Sequence, residues 1–217
     1  RIKKKNIRSF NGKPIILWSI ETAIKSKCFE KVIVSTDNEE IGNISASNGA
    51  EVPFKRPSNL SDDHSTTTST VIHAINYLEE NIGMPDAICC LYPTAVFTSA
   101  EDIQNGLNKL KNIQEDRFVF AGCKYNSPIQ RAFKINEFGY TKMIDPDYFN
   151  TRSQDLEDTF HDVGQFYWGR TKAWLSSKNI FEGSQIQFLK STLVNDIDTE
   201  EDWKQAEYVH KYIKEDE

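Results

Sequence analysis

The spacing of apolar side chains alternates along the chain between a helical and an extended pattern. Apolar residues at helical spacing, together with start and stop signals, predict helices over 14–26, 37–49, 71–82 and 99–111. Short β-branched or apolar runs between them predict strands over 31–35, 86–91 and 117–123. Helices of this length that alternate with strands are typical of a parallel or mostly parallel sheet covered on both faces. The pattern therefore predicts an α/β fold.

The pattern changes after residue 125. Two extended runs, 132–135 and 140–144, flank a turn that contains Gly139 and predict a β-hairpin. Residues 145–158 are polar and weakly patterned, which indicates a loop, and strand character returns over 163–168. A last helix is predicted over 199–213, with an apolar stripe formed by Trp203, Ala206, Val209 and Ile213. We therefore expect one domain over 1–217 with an antiparallel excursion over 125–167.

Composition narrows the function classes without identifying one. The chain carries a net charge of −6, which argues against broad nucleic-acid binding because that requires a basic surface. The sequence has no apolar run long enough to cross a bilayer and no signal peptide, so we expect a soluble protein outside the membrane. The 4 cysteines show no CxxC spacing and resemble buried reduced thiols, for which the cytoplasm is the default compartment.

The most informative local motif is the pair Asp196 and Asp198, directly ahead of the last predicted helix. In an extended strand, side chains two residues apart project to the same face, so both carboxylates would lie together. Two such carboxylates suit Mg²⁺, which completes its coordination with water and substrate phosphates. The alternative is a solvated strand end at which Thr199 and Asp202 form a capping box, with Asp in place of the usual Glu or Gln.

Three further segments combine polar groups with the boundary of a predicted element. The basic run that ends at Lys5 and Asn6 precedes the first helix and suits a polyphosphate, or is a solvated tail. The hydroxyl-rich run 61–67 suits an anion or a base edge at a helix start, or only caps the helix. Tyr92 and the Pro-Thr pair after it follow a buried strand, at the edge where open α/β sheets bind ligands. A Tyr-Pro turn alone implies no chemistry.

The aromatic segment 160–169 has two interpretations. Gly164 would let a ligand approach the backbone closely, and Gln165 can donate to and accept from a sugar hydroxyl or an amide. The alternative is a core strand whose aromatic residues pack in the interior, with His161 as a structural histidine.

In their order along the chain, these segments resemble the CMP-sugar cytidylyltransferase family, which activates nonulosonic acids with CTP. The resemblance covers nearly the whole chain. Its carriers are Lys5-Asn6, Gly12-Lys13-Pro14, Val34-Ser35-Thr36-Asp37, Arg56-Pro57, Leu60-Ser61-Asp62-Asp63, Pro93-Thr94 and Asp196-Ile197-Asp198-Thr199. The segments 92–95 and 162–169 are most similar to the pseudaminic acid branch of the family.

This resemblance implies a three-layer α/β/α nucleotide-binding domain with a mostly parallel sheet and a protruding β-hairpin arm over 125–167. In the family the arm pairs two subunits, so a homodimer is implied. The implied reaction is cytidylyl transfer from CTP to a nonulosonic acid, pseudaminic acid above others, with Mg²⁺ as cofactor. The implied setting is the cytoplasm of a bacterium that glycosylates flagellin or capsule. A Gly-rich phosphate loop precedes Lys5 in the family, and of this loop only Arg1 is expected here: either the protein lacks the loop and the first strand, or the given sequence starts after them.

The resemblance also assigns roles to individual residues. The implied catalytic residues are Lys5, Asn6, Asp196 and Asp198, of which Asp196 and Asp198 would bind the metal. The implied CTP-binding residues are Arg1, Arg56, Asp63, Ser65, Thr67 and Thr94. The implied sugar-binding residues are Tyr92, Arg131, Gln165 and Tyr167. Asp198, or a metal-bound water beside it, is the expected acceptor of the sugar's hydroxyl proton.

Three other interpretations stay open. Such an enzyme could act on legionaminic or N-acetylneuraminic acid instead of pseudaminic acid. A protein of this fold could also bind a nucleotide sugar without catalysis, although the two aspartates argue against it. The basic N-terminal run allows a nucleic-acid-binding module, which the acidic body disfavours.

Overall fold

A four-stranded sheet lies at the centre of the computed structural model, which describes residues 2–62, 64–176, 178–189, 191, 193–194 and 196–215. In order across the sheet, its strands are β3 (Ala87–Leu91), β7 (Phe160–Arg170), β4 (Phe118–Lys124) and β8 (Gln185–Phe188). Two short antiparallel pairs lie outside it, β1 (Ser9–Phe10) with β2 (Lys13–Pro14) and β5 (Phe133–Ile135) with β6 (Thr141–Met143). The helices are α1 (Ile15–Ser26), α2 (Glu39–Ala46), α3 (Thr67–Asn81), α4 (Ala100–Lys111), α5 (Thr171–Leu175) and α6 (Glu200–Glu215).

The central sheet is mixed, so the prediction of a mostly parallel sheet is wrong. Strand β7 is antiparallel to both β3 and β4, whereas β4 and β8 pair in parallel. The reason is the position of β7, which returns from the excursion and enters between β3 and β4 rather than at an edge. Strands β3, β4 and β8 still run in the same direction. Their carboxyl ends therefore meet at one edge, which the amino end of β7 shares.

Helices cover both faces of this sheet. On one face, Phe166 and Trp168 of β7 pack beneath α4, and a Cβ on Gly106 would lie 2.8 Å from the Trp168 ring. Gly106 therefore permits the close approach of helix and strand. On the other face, Tyr167 packs with Trp174 of α5 and with residues of α3. This burial on both faces explains why 163–168 is a nearly continuous apolar run.

The predicted helices are confirmed, with shifted boundaries at two of them. Helix α2 begins at Glu39 rather than at 37, because Asn38 caps it: its Oδ1 accepts the amide of Ile41 at 3.1 Å. Helix α3 begins earlier than the apolar periodicity indicates, because Thr66 caps it and polar residues fill its first turn. The predicted strand 31–35 contains a single isolated parallel bridge, between Ile33 and Glu51, and a second bridge joins Thr36 to Lys55 just after it. The sequence pattern did not predict α5 or β8.

The excursion contains the predicted hairpin, β5 and β6, and its apolar side chains are largely exposed. Ile135 is 72% exposed and Phe138 is 75% exposed. The last residues of the predicted excursion, from Phe160 on, form β7 of the central sheet, so from here on the name arm refers to residues 125–159. None of the helices in the described part of the chain combines the length and the apolarity that crossing a bilayer requires.

Candidate active site

Asp196 and Asp198 lie in the loop between β8 and α6, and not at the end of a strand as predicted. Ile197 between them is 2% exposed and packs in an apolar cluster with Phe10 and Trp203. Because Ile197 is fixed in the interior, it anchors the backbone between the two acids. Both acids are exposed residues.

Thr199 and Asp202 form the predicted capping box at the start of α6. The Asp202 carboxylate accepts the Thr199 amide at 2.7 Å and the Asp198 amide at 3.1 Å, while the Thr199 hydroxyl oxygen accepts the Asp202 amide at 3.1 Å. The Asp in the third position thus satisfies amide groups that would otherwise lack a partner. The box also fixes the backbone of Asp198.

We expect Thr199→Ala to destabilise the protein by about 1 kcal/mol, because α6 loses the side-chain acceptor at its first turn. For a chain of this size the melting temperature should fall by roughly 2–4 °C. Thermal denaturation followed by circular dichroism measures this change. Thr199→Ser keeps the hydroxyl and should restore the wild-type melting temperature, and an unchanged melting temperature in Thr199→Ala would contradict the capping assignment.

Lys5 brings the N-terminal segment to the two acids. Its Nζ donates to the Ile197 carbonyl at 2.6 Å and to Asp198 Oδ1 at 3.1 Å. Arg8 supports this placement, because it pairs with Glu200 at 2.6 Å. Asn6 lies beside Lys5 in the 3₁₀ turn Lys5–Ile7. The structure therefore places Lys5, Asn6, Asp196 and Asp198 in one region, although Lys5 and Asp198 are 193 residues apart in sequence.

A third acid, Asp162, belongs to the same region and was not predicted as a site residue. It lies near the start of β7, where it pairs with Gly122 near the carboxyl end of β4. Although Asp196 is exposed as a residue, its carboxyl lies against Gly164, and this partial burial raises its pKa; the negative charges of Asp162 and Asp198 raise it further. Lys5 and His161 act in the opposite direction. In the sequence, the only local feature that could have indicated a role for Asp162 is its position two residues before Gly164.

Gly164 is the point at which the Asp196 carboxylate contacts β7. Its φ is +57°, and a Cβ built there would lie 2.0 Å from Asp196 Oδ1. The expectation that Gly164 lets a ligand approach is therefore corrected, because the group that approaches is a carboxylate of the chain itself. A side chain at this position would displace Asp196.

Gln165 and Tyr167 are buried rather than open to a ligand. Gln165 is 1% exposed; its Oε1 accepts the Phe97 amide at 3.2 Å and its Nε2 donates to the Val163 carbonyl at 3.1 Å. The prediction that this amide faces the sugar is corrected, since both of its ends are engaged inside the protein. Tyr167 is 4% exposed, and its hydroxyl donates to Asp162 Oδ2 at 2.6 Å. Both side chains therefore lie in the interior of the protein.

Tyr92, Thr67 and Thr94 lie near the carboxyl end of β3. The Tyr92 hydroxyl is 2.5 Å from Thr67 Oγ1 at the start of α3, and its ring centroid is 5.4 Å from that of Tyr167. Thr94 is partly buried in the loop that follows, where its carbonyl accepts the Val96 amide at 2.8 Å. The hydroxyl-rich helix start and the Tyr-Pro turn, which were separate predictions from the sequence, therefore meet through Tyr92.

The other residues predicted to bind CTP or the sugar have no contact with Lys5, Asp196 or Asp198 among the described hydrogen bonds and ion pairs. Arg56 donates to Ser61 Oγ at 3.1 Å and lies 3.7 Å from Asp37, while the Ser65 hydroxyl donates to Asp62 at 2.7 Å. Arg131 lies exposed on the arm and donates to Ser153 at 3.3 Å. Two predicted CTP-binding residues, Arg1 and Asp63, lie outside the described residues.

The chemistry of the acids fits a hard divalent cation. Asp196 and Asp198 offer carboxylate oxygens, which Mg²⁺ prefers, and Mg²⁺ is commonly bound by one or two carboxylates plus substrate phosphates. Across the part of the chain that the structure describes, no group of three or more His, Cys, Asp or Glu side chains is arranged to hold a metal ion. The pair would therefore depend on the substrate to complete the coordination.

Comparison with solved structures defines the class of fold. CMP:2-keto-3-deoxy-manno-octonic acid synthetase, solved in complex with CTP, matches over 100% of this chain and 94% of its own, with a TM-score of 0.67 at 14% identity. The fold is thus the α/β fold of that nucleotidyltransferase. The chain belongs to the cytidylyltransferase family, whose model matches residues 1–155.

Two relatives show the range of similarity within this group. The pseudaminic acid cytidylyltransferase of Campylobacter jejuni subsp. jejuni serotype O:2 is 41% identical over 212 residues, which is 97% of this chain and 91% of that protein. The CMP-N,N'-diacetyllegionaminic acid synthase of Legionella pneumophila subsp. pneumophila is 27% identical over 215 residues, covering 95% of this chain and 89% of its own.

Proposed function

We propose that the protein transfers CMP from CTP to pseudaminic acid and releases pyrophosphate. The observation that carries the reaction is the ion pair of Lys5 with Asp198, next to an Asp196 whose carboxylate lies against Gly164 at the carboxyl edge of the sheet. The sugar is supported by similarity, since the chain is 41% identical to a pseudaminic acid cytidylyltransferase and 27% identical to a legionaminic acid synthase, each over nearly its full length.

In the proposed mechanism, the sugar's anomeric hydroxyl oxygen attacks the α-phosphorus of CTP, and the bond from that phosphorus to the pyrophosphate oxygen breaks. Lys5 and Asn6 approach the phosphates, while Arg56, Asp63, Ser65, Thr67 and Thr94, with Arg1, hold the nucleotide. Positioning and charge stabilisation supply most of the rate. Asp198, or a water beside it, accepts the hydroxyl proton, and its closeness compensates for its low basicity beside cations.

Asp196 and Asp198 are the proposed ligands of Mg²⁺. When bound, the cation would polarise the α-phosphate and offset the negative charge of the phosphates. Lys5, which already forms an ion pair with Asp198, adds a second positive charge next to the two carboxylates. Both charges favour binding of a polyanionic triphosphate next to two carboxylates that would otherwise repel it.

Sugar recognition is assigned to Tyr92 and Arg131 directly, and to Gln165 and Tyr167 indirectly. Arg131 would supply a positive charge for the sugar's carboxylate. Gln165 orders the loop after β3 through its bond to the Phe97 amide, and Tyr167 orders Asp162. This division follows from burial, because a fully buried amide cannot exchange its partners for a ligand at low cost.

A homodimer formed through the arm is part of the proposal. Large apolar side chains exposed on the arm include Phe133, Ile135, Phe138, Tyr140, Ile144 and Phe149. A group of this kind on one excursion is typical of a protein–protein contact. The occupant we propose is the arm of a second copy of the chain.

We expect Ile135→Lys to weaken the dimer by about tenfold or more, because a charge replaces an apolar contact at the interface. Ile135 and Phe133 share one face of β5, whereas Lys134 projects to the other. Lys134→Ala is therefore the matched control and should leave the dimer intact. Light scattering after size-exclusion chromatography measures the mass. A protein that is already monomeric, or an Ile135→Lys variant that stays fully dimeric, would contradict the proposal.

We also place the enzyme in the cytoplasm. All four cysteines, Cys28, Cys89, Cys90 and Cys123, are free thiols. Burial raises the pKa of Cys90 to about 12, so this thiol stays protonated and unreactive. Free thiols without a disulfide are typical of a reducing compartment.

The substrate is tested by pyrophosphate release with CTP, Mg²⁺ and a panel of nonulosonic acids. We expect kcat/KM to be at least about tenfold higher for pseudaminic acid than for legionaminic or N-acetylneuraminic acid. A preference for another acid of the panel would retain the reaction class and correct the sugar. Binding of a nucleotide sugar without turnover of any acid would favour a non-catalytic binding protein.

A further inference from the structure

The Asp162 carboxylate is held by hydrogen bonds to both of its oxygens. Tyr167 donates its hydroxyl to Oδ2 at 2.6 Å, and the Gly164 amide donates to Oδ1 at 3.2 Å. Donors on both oxygens fix the direction in which the carboxylate points. Asp162 is therefore an ordered charge and not a mobile surface acid.

Tyr167, which orders Asp162, is itself held by its surroundings. Its side chain is buried, and its ring packs against Tyr92 and, at 6.4 Å between centroids, against Phe181. The Tyr92 hydroxyl in turn contacts Thr67 at the start of α3. Packed rings and hydrogen bonds together therefore connect the start of α3 to Asp162.

The ordered charge of Asp162 acts on Asp196. The Asp196 carboxylate lies against the backbone at Gly164, the same residue whose amide bonds Asp162. The Gly164 backbone prevents the Asp196 carboxylate from moving closer to β7 and holds the Asp162 carboxylate nearby, so the two like charges repel each other. A cation next to Asp196 and Asp198 would offset this repulsion, and an ordered Asp162 adds to its attraction.

We propose that Asp162 and Tyr167 are positioning residues that set the divalent-cation affinity of the Asp196–Asp198 pair. This inference rests on the function proposed above. Asp162 does not bind the cation in this proposal; its negative charge adds to the attraction of the cation to Asp196 and Asp198. Tyr167 keeps the Asp162 carboxylate in place. Groups that orient metal ligands in this way commonly change metal affinity by about 10–100-fold when they are replaced.

The test is Mn²⁺ binding to the purified protein in the presence of CTP, measured by electron paramagnetic resonance without the sugar. We expect Asp162→Asn, which keeps the shape and removes the charge, to raise the dissociation constant of Mn²⁺ by about tenfold. Tyr167→Phe keeps the ring and removes only the hydroxyl, and it should weaken binding in the same direction. Tyr77→Phe is the control. Tyr77 lies on α3 with its ring packed against Phe54, so this variant should bind Mn²⁺ as the wild type does.

Wild-type affinity in both Asp162→Asn and Tyr167→Phe would overturn the inference, as would an equal loss in Tyr77→Phe. Because the measurement needs no turnover, its outcome is separate from that of the proposed function. A wild-type protein that releases no pyrophosphate with any nonulosonic acid contradicts the reaction, whereas unchanged Mn²⁺ affinity contradicts only the role of Asp162 and Tyr167.

Discussion

Asp198→Asn is expected to lower the rate of pyrophosphate release by about 10³-fold or more while CTP still binds. The change removes the negative charge that would hold Mg²⁺ together with Asp196 and also removes the proposed proton acceptor. The fold should be kept, because the Asp198 amide and not its side chain bonds the Asp202 carboxylate of the capping box. Pyrophosphate release measures the rate, and calorimetry measures CTP binding.

The matched control for this result is Asp86→Asn. Asp86 is an exposed acid directly ahead of β3, at the opposite end of that strand from Tyr92. Loss of a carboxylate there should leave the rate within about twofold, since surface changes away from a site have small effects. Near-normal pyrophosphate release by Asp198→Asn would contradict the assignment of the site.

Gly164→Ala is expected to reduce turnover by about 100-fold or more, because the new Cβ would lie 2.0 Å from Asp196 Oδ1 and must displace that carboxylate. The left-handed backbone at this position adds a cost of about 1–2 kcal/mol to folding for a residue with a side chain. Pyrophosphate release and thermal denaturation measure the two effects separately.

Gly83→Ala separates the backbone strain from the displacement of Asp196. Gly83 also has a positive φ, +141°, but a Cβ there meets nothing within 4 Å. This variant should lose stability and keep its turnover at a temperature where it is folded. If Gly164→Ala also kept full turnover, the contact between Gly164 and Asp196 would have no part in catalysis.

The helices other than α5, and most strands, were predictable from the sequence because their signals are local. The apolar stripe of α1, and the Ser99 and Asp102 capping box of α4, lie within one element each. The relative directions of the strands were not predictable in this way. They depend on the position of β7 between β3 and β4, and a run of apolar residues gives no information about the neighbours of a strand.

The same distinction applies to the site. Asp196 and Asp198 were found because two carboxylates two residues apart are visible in a short window. Asp162 was missed because it joins them only through the reversed direction of β7, which brings the start of that strand to the ligand edge. Gln165 was placed toward the sugar because its amide can bond one, but a central strand buried on both faces turns it inward.

The central claim is that this chain catalyses cytidylyl transfer at Asp196 and Asp198. Its most direct test follows CTP, pseudaminic acid and Mg²⁺ by ³¹P nuclear magnetic resonance with the wild-type protein and with Asp198→Asn. We expect the wild type to form a phosphodiester signal for the CMP-sugar together with an equal amount of pyrophosphate, and the variant to form neither at a measurable rate. Equal product formation by both proteins, or none by the wild type, would contradict the claim.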